Sequence, residues 1–301
     1  MIKYTGSFAS IRSIETNPLN YKYAIIAEVT HGSLEGKKFQ VKFCNPGHRH
    51  NINEFIAHYI ARLIEAPVLD GAFLKLDEDE LEKLKQKMKK LTVYKPIDTN
   101  ISKKGFFFGV EWMEHLNEIK SHKELLPKVK KTSNANSFYS LYPLDQILKN
   151  EDRHLKNHLI SKQGKRLIYN VIDFDRIFSC STWINTTFLL ENFGCLKMQN
   201  NPKELEFLYS LVDNATHESV VRYAVALSRI QKSDIDDMCE MISQHFRVSK
   251  AEVDTIRAWF IHRKELMYEK CMQNTHCFAN VTQQRLPNVY RYDSTTKHSQ
   301  L

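Results

Sequence analysis

Glycine and proline are scarce in this chain, at 9 and 8 of 301 residues. Sandwiches, propellers and collagen-like repeats need many tight turns or a glycine period, so the shortage excludes them and predicts abundant helix. Cysteine is sparse too: the 6 residues Cys44, Cys180, Cys195, Cys239, Cys271 and Cys277 form no CxxC pair. Scattered in this way they read as thiols in a reducing compartment, not as a disulfide framework. His276, between Cys271 and Cys277, completes only three candidate zinc ligands in a polar stretch. No run approaches eighteen consecutive apolar residues, and the first ten lack the charged start and apolar core of a signal peptide. The expectation is a cytoplasmic protein without membrane association.

What is present is ordinary for a folded protein: 42% hydrophobic and 26% charged residues, enough to bury one large core or two lobes. The 43 basic against 35 acidic side chains leave a charge of +8. That modest excess suits an anionic partner such as a nucleotide or an acidic protein. No recognition motif with interleaved aromatics accompanies it, so nucleic acid is not the expected partner.

The first hundred or so residues read as strands around one helix. Residues 21–29 and 39–43 are β-rich runs about a Gly32–Gly36 turn, and 68–76 reads as another strand. Between them Ile52, Phe55, Ile56, Tyr59, Ile60, Leu63 and Ile64 repeat at helical spacing, and Ala66-Pro67 stops the helix. Residues 77–90 form a charged helix, while 92–95 and 105–112 complete the strand set. Beyond Met113 the pattern changes. Residues 137–149 read as a helix started or kinked by Pro143, and 157–161 with 166–174 as a hairpin around Gln163-Gly164. Residues 202–271 are helix after helix. The expected division is a strand-rich N-terminal lobe (1–112), a mainly helical C-terminal lobe (113–275) and a polar tail (276–301).

Chemistry concentrates in residues 150–175. Asp152 and Asn157 lie five apart in a short loop between helix and strand, and Asp173 arrives at the end of the hairpin. Phosphoryl transfer needs such a set: one carboxylate to orient and deprotonate the attacking hydroxyl, an amide oxygen and a second carboxylate to hold magnesium. Five is also the base-to-asparagine separation in the protein-kinase catalytic loop. Upstream, Lys42 sits inside the apolar strand FQVKF, where a lysine is costly without an anion. Glu54 begins the next helix. It falls opposite the large apolar stripe, on a face with Ala57 and Ala61, which fits either a lysine-orienting glutamate or an exposed one. The strand GFFFGVEWM then runs into the linker, where Glu111 and Met113 are expected to offer backbone groups to adenine. His154 and His158, four apart, raise a zinc-site alternative, but a metalloprotease would want glutamate where Leu155 stands.

The segments V-K-F (41–43), N-E-F-I-A (53–57), N-E-D-R-H-L-K-N (150–157), V-I-D-F-D (171–175) and I-R-A-W-F-I-H-R-K-E-L (256–266) together resemble the HipA-like kinase domain. The resemblance spans about residues 5–270 and implies an α+β, bilobal protein-kinase-like fold. It also implies ATP and Mg²⁺ as cofactors and transfer of phosphate to a protein Ser or Thr. By position Asp152 corresponds to the catalytic base, Asn157 and Asp173 to magnesium ligands, Lys42 to the phosphate lysine, and Lys156 to a residue steadying the transferred phosphate. An antitoxin-like partner is implied as well, although the chain is shorter than full-length HipA toxins at the N-terminal end. The phosphate-covering segment departs from a glycine-rich loop, with Gly6 alone between residues 6 and 20. The D-R-H-x-x-N loop also resembles phosphoinositide kinases, which keeps a lipid or small-molecule acceptor open. A nucleotide-binding pseudokinase acting through protein contacts is the rival from another class.

Overall fold

The structure is a computed structural model that describes residues 7–8, 15–16, 24–30, 32–43, 47–76, 78–89, 100–103, 105–113, 116–150, 152–179, 183 and 214–274. The strand expected at 92–95, the helical run at 204–212, Cys277 and the 276–301 tail lie outside these residues.

Six strands make the first sheet: β1 (Ser7–Phe8), β2 (Glu15–Thr16), β3 (Ala24–Glu28), β4 (Lys38–Lys42), β5 (Gly71–Lys75) and β6 (Phe106–Glu111). Their order is β1-β5-β6-β4-β3-β2. All pairings are antiparallel except the edge pair β1–β5, which is parallel. The tight turn at Gly36, with φ of 79°, joins β3 to β4. Strand β5 starts later than the apolar run suggests. Pro67 and Val68 instead reach the other lobe, where the Val171 N–H donates to the Pro67 carbonyl at 2.7 Å.

Helix α1 (His50–Leu63) packs across this sheet, and α2 (Glu78–Lys89) follows β5. Phe55 of α1 meets Phe73 and Phe108 of the sheet, with ring centroids 5.0 and 5.6 Å away. It also meets Phe246 of the C-terminal lobe at 6.2 Å. Sandwiched in this way, α1 has no solvated face through most of its length: every residue from Asn51 to Ala61 is buried. The face of Glu54, Ala57 and Ala61 is therefore interior, which removes the exposed alternative for Glu54.

The second sheet, β7 (Leu116–Glu118), β8 (His158–Gln163) and β9 (Arg166–Val171), is antiparallel and carries the expected hairpin. Helices α3 (His122–Val129), α4 (Leu141–Leu148), α5 (Asn214–Ser228), α6 (Lys232–His245) and α7 (Lys250–Asn274) form the rest. Pro143 does not kink α4. It is the third helical residue, in the first turn, where the missing N–H would have had no helical partner. Along α7 the residues Val253, Ile256, Trp259, Phe260, Arg263 and Met267 are buried at helical spacing. The Trp259 indole and the Arg263 guanidinium donate to the carbonyls of Ile147 and Gln146, at 3.0 and 2.6 Å. These bonds satisfy the exposed end of α4, from which the 150–157 loop departs. No described helix is long and apolar enough to cross a membrane.

Candidate active site

Helix α4 ends at Lys149 in the left-handed conformation, φ 50°, which turns the chain toward the cleft. Asn150 closes that turn: its N–H reaches the Asp145 carbonyl at 2.9 Å, and its side-chain amide reaches Asp145 Oδ1 at 2.8 Å. Arg153, almost fully buried, donates from Nε and Nη2 to both oxygens of Asp145 at 3.0 and 2.9 Å. Its Nη1 donates to the Ile172 carbonyl at 3.0 Å. The Ile172 N–H returns a bond to the Asn157 carbonyl, also 3.0 Å. These bonds tie the loop to the segment just before Asp173.

Within the loop, the Asn157 amide nitrogen donates to the Asp152 carbonyl at 2.8 Å, so the spacing of five is bridged by the asparagine itself. The other end of that amide is unusual: Asn157 Oδ1 is buried and accepts no hydrogen bond among the described residues. A buried acceptor without a donor costs about 1–3 kcal/mol unless something else binds it. Asp152 is half-buried, with Arg176 Nε 3.6 Å from its carboxylate. Lys156 is exposed at the centre of a short 3-10 turn spanning Leu155–Asn157.

Across the cleft, Lys42 Nζ lies 2.6 Å from Glu54 Oε1, 2.6 Å from Asp173 Oδ1 and 4.0 Å from Asp175 Oδ2. Burial pulls the ammonium toward neutrality, but the carboxylates of Asp173, Glu54 and Asp175 outweigh it and hold the lysine pKa well above its ordinary value. Asp173 resists its own burial through Lys42 and sits low, at about 2. Burial, with the charges of Asp173 and Glu54, pushes Asp175 up to about 7 against the pull of Lys42. Glu54 is likewise raised by burial, less what Lys42 returns. Its Oε1 also accepts the Phe174 N–H at 3.0 Å. Asp173 itself has φ of 66°, a left-handed geometry that costs a non-glycine residue roughly 1 kcal/mol or more. The flanking bonds keep it there.

A cleft is lined by Gln40, Lys42, Glu54, Phe108, Val110, Ile172 and Asp173. Lys42, Glu54 and Asp173 thus converge on one cleft, with Asp152 and Asn157 joined to it through Ile172. Glu111 and Met113 stand at the end of β6, outside that lining. The Glu111 N–H is spent on the Asp70 carbonyl (2.7 Å), that of Trp112 on the Lys38 carbonyl (2.7 Å), and the Glu111 carboxylate pairs with Lys37. Of the two histidines of the zinc alternative, His158 is buried, with Nδ1 2.6 Å from the Tyr169 hydroxyl. Among the described residues no group of three or more His, Cys, Asp or Glu is arranged around a metal position. Asn51, Asn53, Asp145 and Arg153 were not singled out in the sequence. Polar residues inside helical or loop segments look solvated until the fold buries them.

No protein-family model matches the sequence, and no curated protein matches it. Solved structures do. A proinflammatory kinase of Helicobacter pylori, CtkA, superimposes with a TM-score of 0.51 at 10% identity, over 88% of this chain and 99% of that one. The fold is kinase-like. The α+β, bilobal architecture implied by the HipA-like resemblance is the one found. HipA of Shewanella oneidensis, in a complex with HipB and operator DNA, is a more distant likeness. Its TM-score is 0.40 at 12% identity, over 81% of this chain and 59% of that one.

Proposed function

We propose that the protein is an ATP-dependent phosphotransferase that moves the γ-phosphate of ATP to a Ser or Thr hydroxyl of a protein. One observation carries the reading: a buried ammonium is held between two carboxylates at 2.6 Å, and the loop bonded to the residue before Asp173 holds an asparagine oxygen that is buried and unbonded. An ammonium with surplus carboxylates and a free amide oxygen suits a divalent cation together with phosphate.

Asn157 Oδ1 and the ionised Asp173 fit magnesium, which commonly takes one or two protein oxygens and completes its shell with phosphates and water. When bound, the ion neutralises charge on the phosphates. Lys42, freed from part of its carboxylate pairing, binds phosphate oxygens, and Glu54 keeps its stem oriented. Val110 and Ile172 supply apolar walls for the base, and the backbone of Met113, past the end of β6, is left to meet its edge. Asp152 orients the acceptor hydroxyl and takes its proton as the oxygen attacks the γ-phosphorus and the bond from that phosphorus to the bridging oxygen breaks, ADP leaving with the electron pair. Lys156, exposed in the same turn, meets the transferred phosphate. The acceptor is a protein, and the sequence resemblance adds an antitoxin-like partner to the same reading.

The test is transfer of label from γ-³²P ATP to protein in a lysate, and to the protein itself, by the natural chain and by Asp152→Asn. Replacing a general base predicts a loss of about 10²–10⁴-fold in the transfer step, with ATP affinity within about twofold. Undiminished transfer by Asp152→Asn removes Asp152 from the mechanism. ATP binding without transfer in the natural chain leaves the pseudokinase.

A further inference from the structure

Asn53 precedes Glu54 on α1 and is fully buried. A buried amide must find partners for both ends, and here both lie in the segment beyond Asp173. Its Nδ2 donates to the Asp175 carbonyl at 2.7 Å. Its Oδ1 accepts the Trp183 indole N–H at 3.1 Å. The neighbouring Glu54 accepts the Phe174 N–H at 3.0 Å. Two consecutive residues of one helix therefore hold the two residues that follow Asp173, whose φ of 66° the chain would not keep unaided. Trp183 is anchored in turn: Arg49 lies 5.9 Å over its ring, Phe178 meets it edge-on at 6.0 Å, and Phe178 packs on Trp259 of α7 at 5.3 Å.

We infer that Asn53 is a positioning residue for the reaction: by clamping the Asp175 carbonyl and the Trp183 indole, it fixes the backbone turn that aims the Asp173 carboxylate into the cleft. It touches neither nucleotide nor acceptor. Its effect passes through Asp173, and so rests on the magnesium and nucleotide site proposed above. Loosening a residue that orients a metal ligand weakens metal affinity by about 10–100-fold in general. Loss of Asn53 accordingly raises the magnesium concentration needed for nucleotide binding. A purely structural residue would lower the melting temperature without moving that concentration.

The experiment titrates magnesium at fixed fluorescent ATP analogue and follows the melting temperature in the same samples. The proteins are the natural chain, Asn53→Ala, Asn53→Asp, Trp183→Phe and Val220→Ala. The last is a core truncation in α5, outside the cleft lining, that controls for lost stability. Expected is a rise in half-saturating magnesium of about tenfold or more for Asn53→Ala. Asn53→Asp, which turns the donor toward Asp175 into an acceptor and keeps the oxygen facing Trp183, should match it. Trp183→Phe removes one of the two bonds and should give a smaller rise, about two- to threefold. Val220→Ala should give none. Where Asn53→Ala fails to fold, Asn53→Asp and Trp183→Phe decide by the same readout. An unchanged magnesium midpoint in the folded Asn53 variants, or one shifted no more than in Val220→Ala, overturns the inference while leaving the site intact. Absence of magnesium-dependent binding in the natural chain overturns the proposed function itself, and the inference with it.

Discussion

Two buried ionic clusters hold the neighbouring residues Ile172 and Asp173, built from the same kinds of groups yet finished differently. At the foot of α4, Arg153 and Asp145 use nearly everything they have. The guanidinium gives three hydrogen bonds, and both carboxylate oxygens are filled by Arg153 and Asn150. At the cleft, one ammonium faces Glu54, Asp173 and Asp175, and two acceptors, Glu54 Oε2 and Asn157 Oδ1, are buried without a hydrogen bond among the described residues. The first cluster is saturated and holds a loop in shape. The second carries surplus negative charge and idle acceptors, so a cation and its phosphates have something to bind. Saturation, more than charge, separates scaffold from site.

Breaking the saturated cluster should have the largest effect on stability. Arg153→Met leaves the Asp145 carboxylate buried without its partner, and a loss of about 3–5 kcal/mol follows, measured by urea unfolding. A loss below about 1 kcal/mol would mean that the two clusters do not differ as argued.

The cleft cluster and its neighbour His58 should respond to pH with opposite signs. His58 is fully buried, and burial lowers it to about 3 from an ordinary 6.5. Its contribution is fully present above pH 6.5 and is lost as pH falls toward 3, at up to about 1.4 kcal/mol per pH unit. His58→Leu should therefore gain on the natural protein as the solution is acidified through that window, in melts taken at pH 4, 5 and 6.5. A parallel pair of curves would show that the histidine is protonated inside the fold.

Asp175 runs the other way. Its carboxyl is raised from 3.8 to about 7, so the stability it contributes is present below 3.8 and lost as pH rises through 7. Asp175→Asn should be more stable than the natural protein at pH 8 by about 1 kcal/mol or more, with the advantage vanishing by pH 4. Asp145→Asn should destabilise at both. An Asp175→Asn variant less stable at pH 8 would mean that the cleft carries no surplus of negative charge.

How much of this the sequence disclosed follows from the range of each interaction. Asp152, Asn157 and Asp173 share one loop and hairpin, and their spacing is set by local geometry, so a reading of residues 150–175 brings them together. Lys42 was conspicuous because an ammonium inside an apolar strand demands a partner. Glu54 is ambiguous on the helical wheel, since Phe174, whose N–H its carboxylate accepts, comes 120 residues later. Asn53 opens the segment 53–57 with nothing to mark its role: its partners are 122 and 130 positions away. The strand read at 68–76 begins only at Gly71 for a like reason, because Pro67 and Val68 pair across the lobes with Val171. The Glu111 N–H is committed to the Asp70 carbonyl, which no pattern in GFFFGVEWM reveals.

The central claim is that the unsaturated cluster binds nucleotide through magnesium. Its most direct test is calorimetric titration of ATP into the natural chain and Asp173→Ala, each with magnesium and with excess chelator. The account predicts binding in the natural chain that tightens at least about tenfold with magnesium. In Asp173→Ala that gain should vanish while the melting temperature stays close to the natural one. Equal ATP affinity in chelator and magnesium, with or without the Asp173 carboxylate, would contradict it.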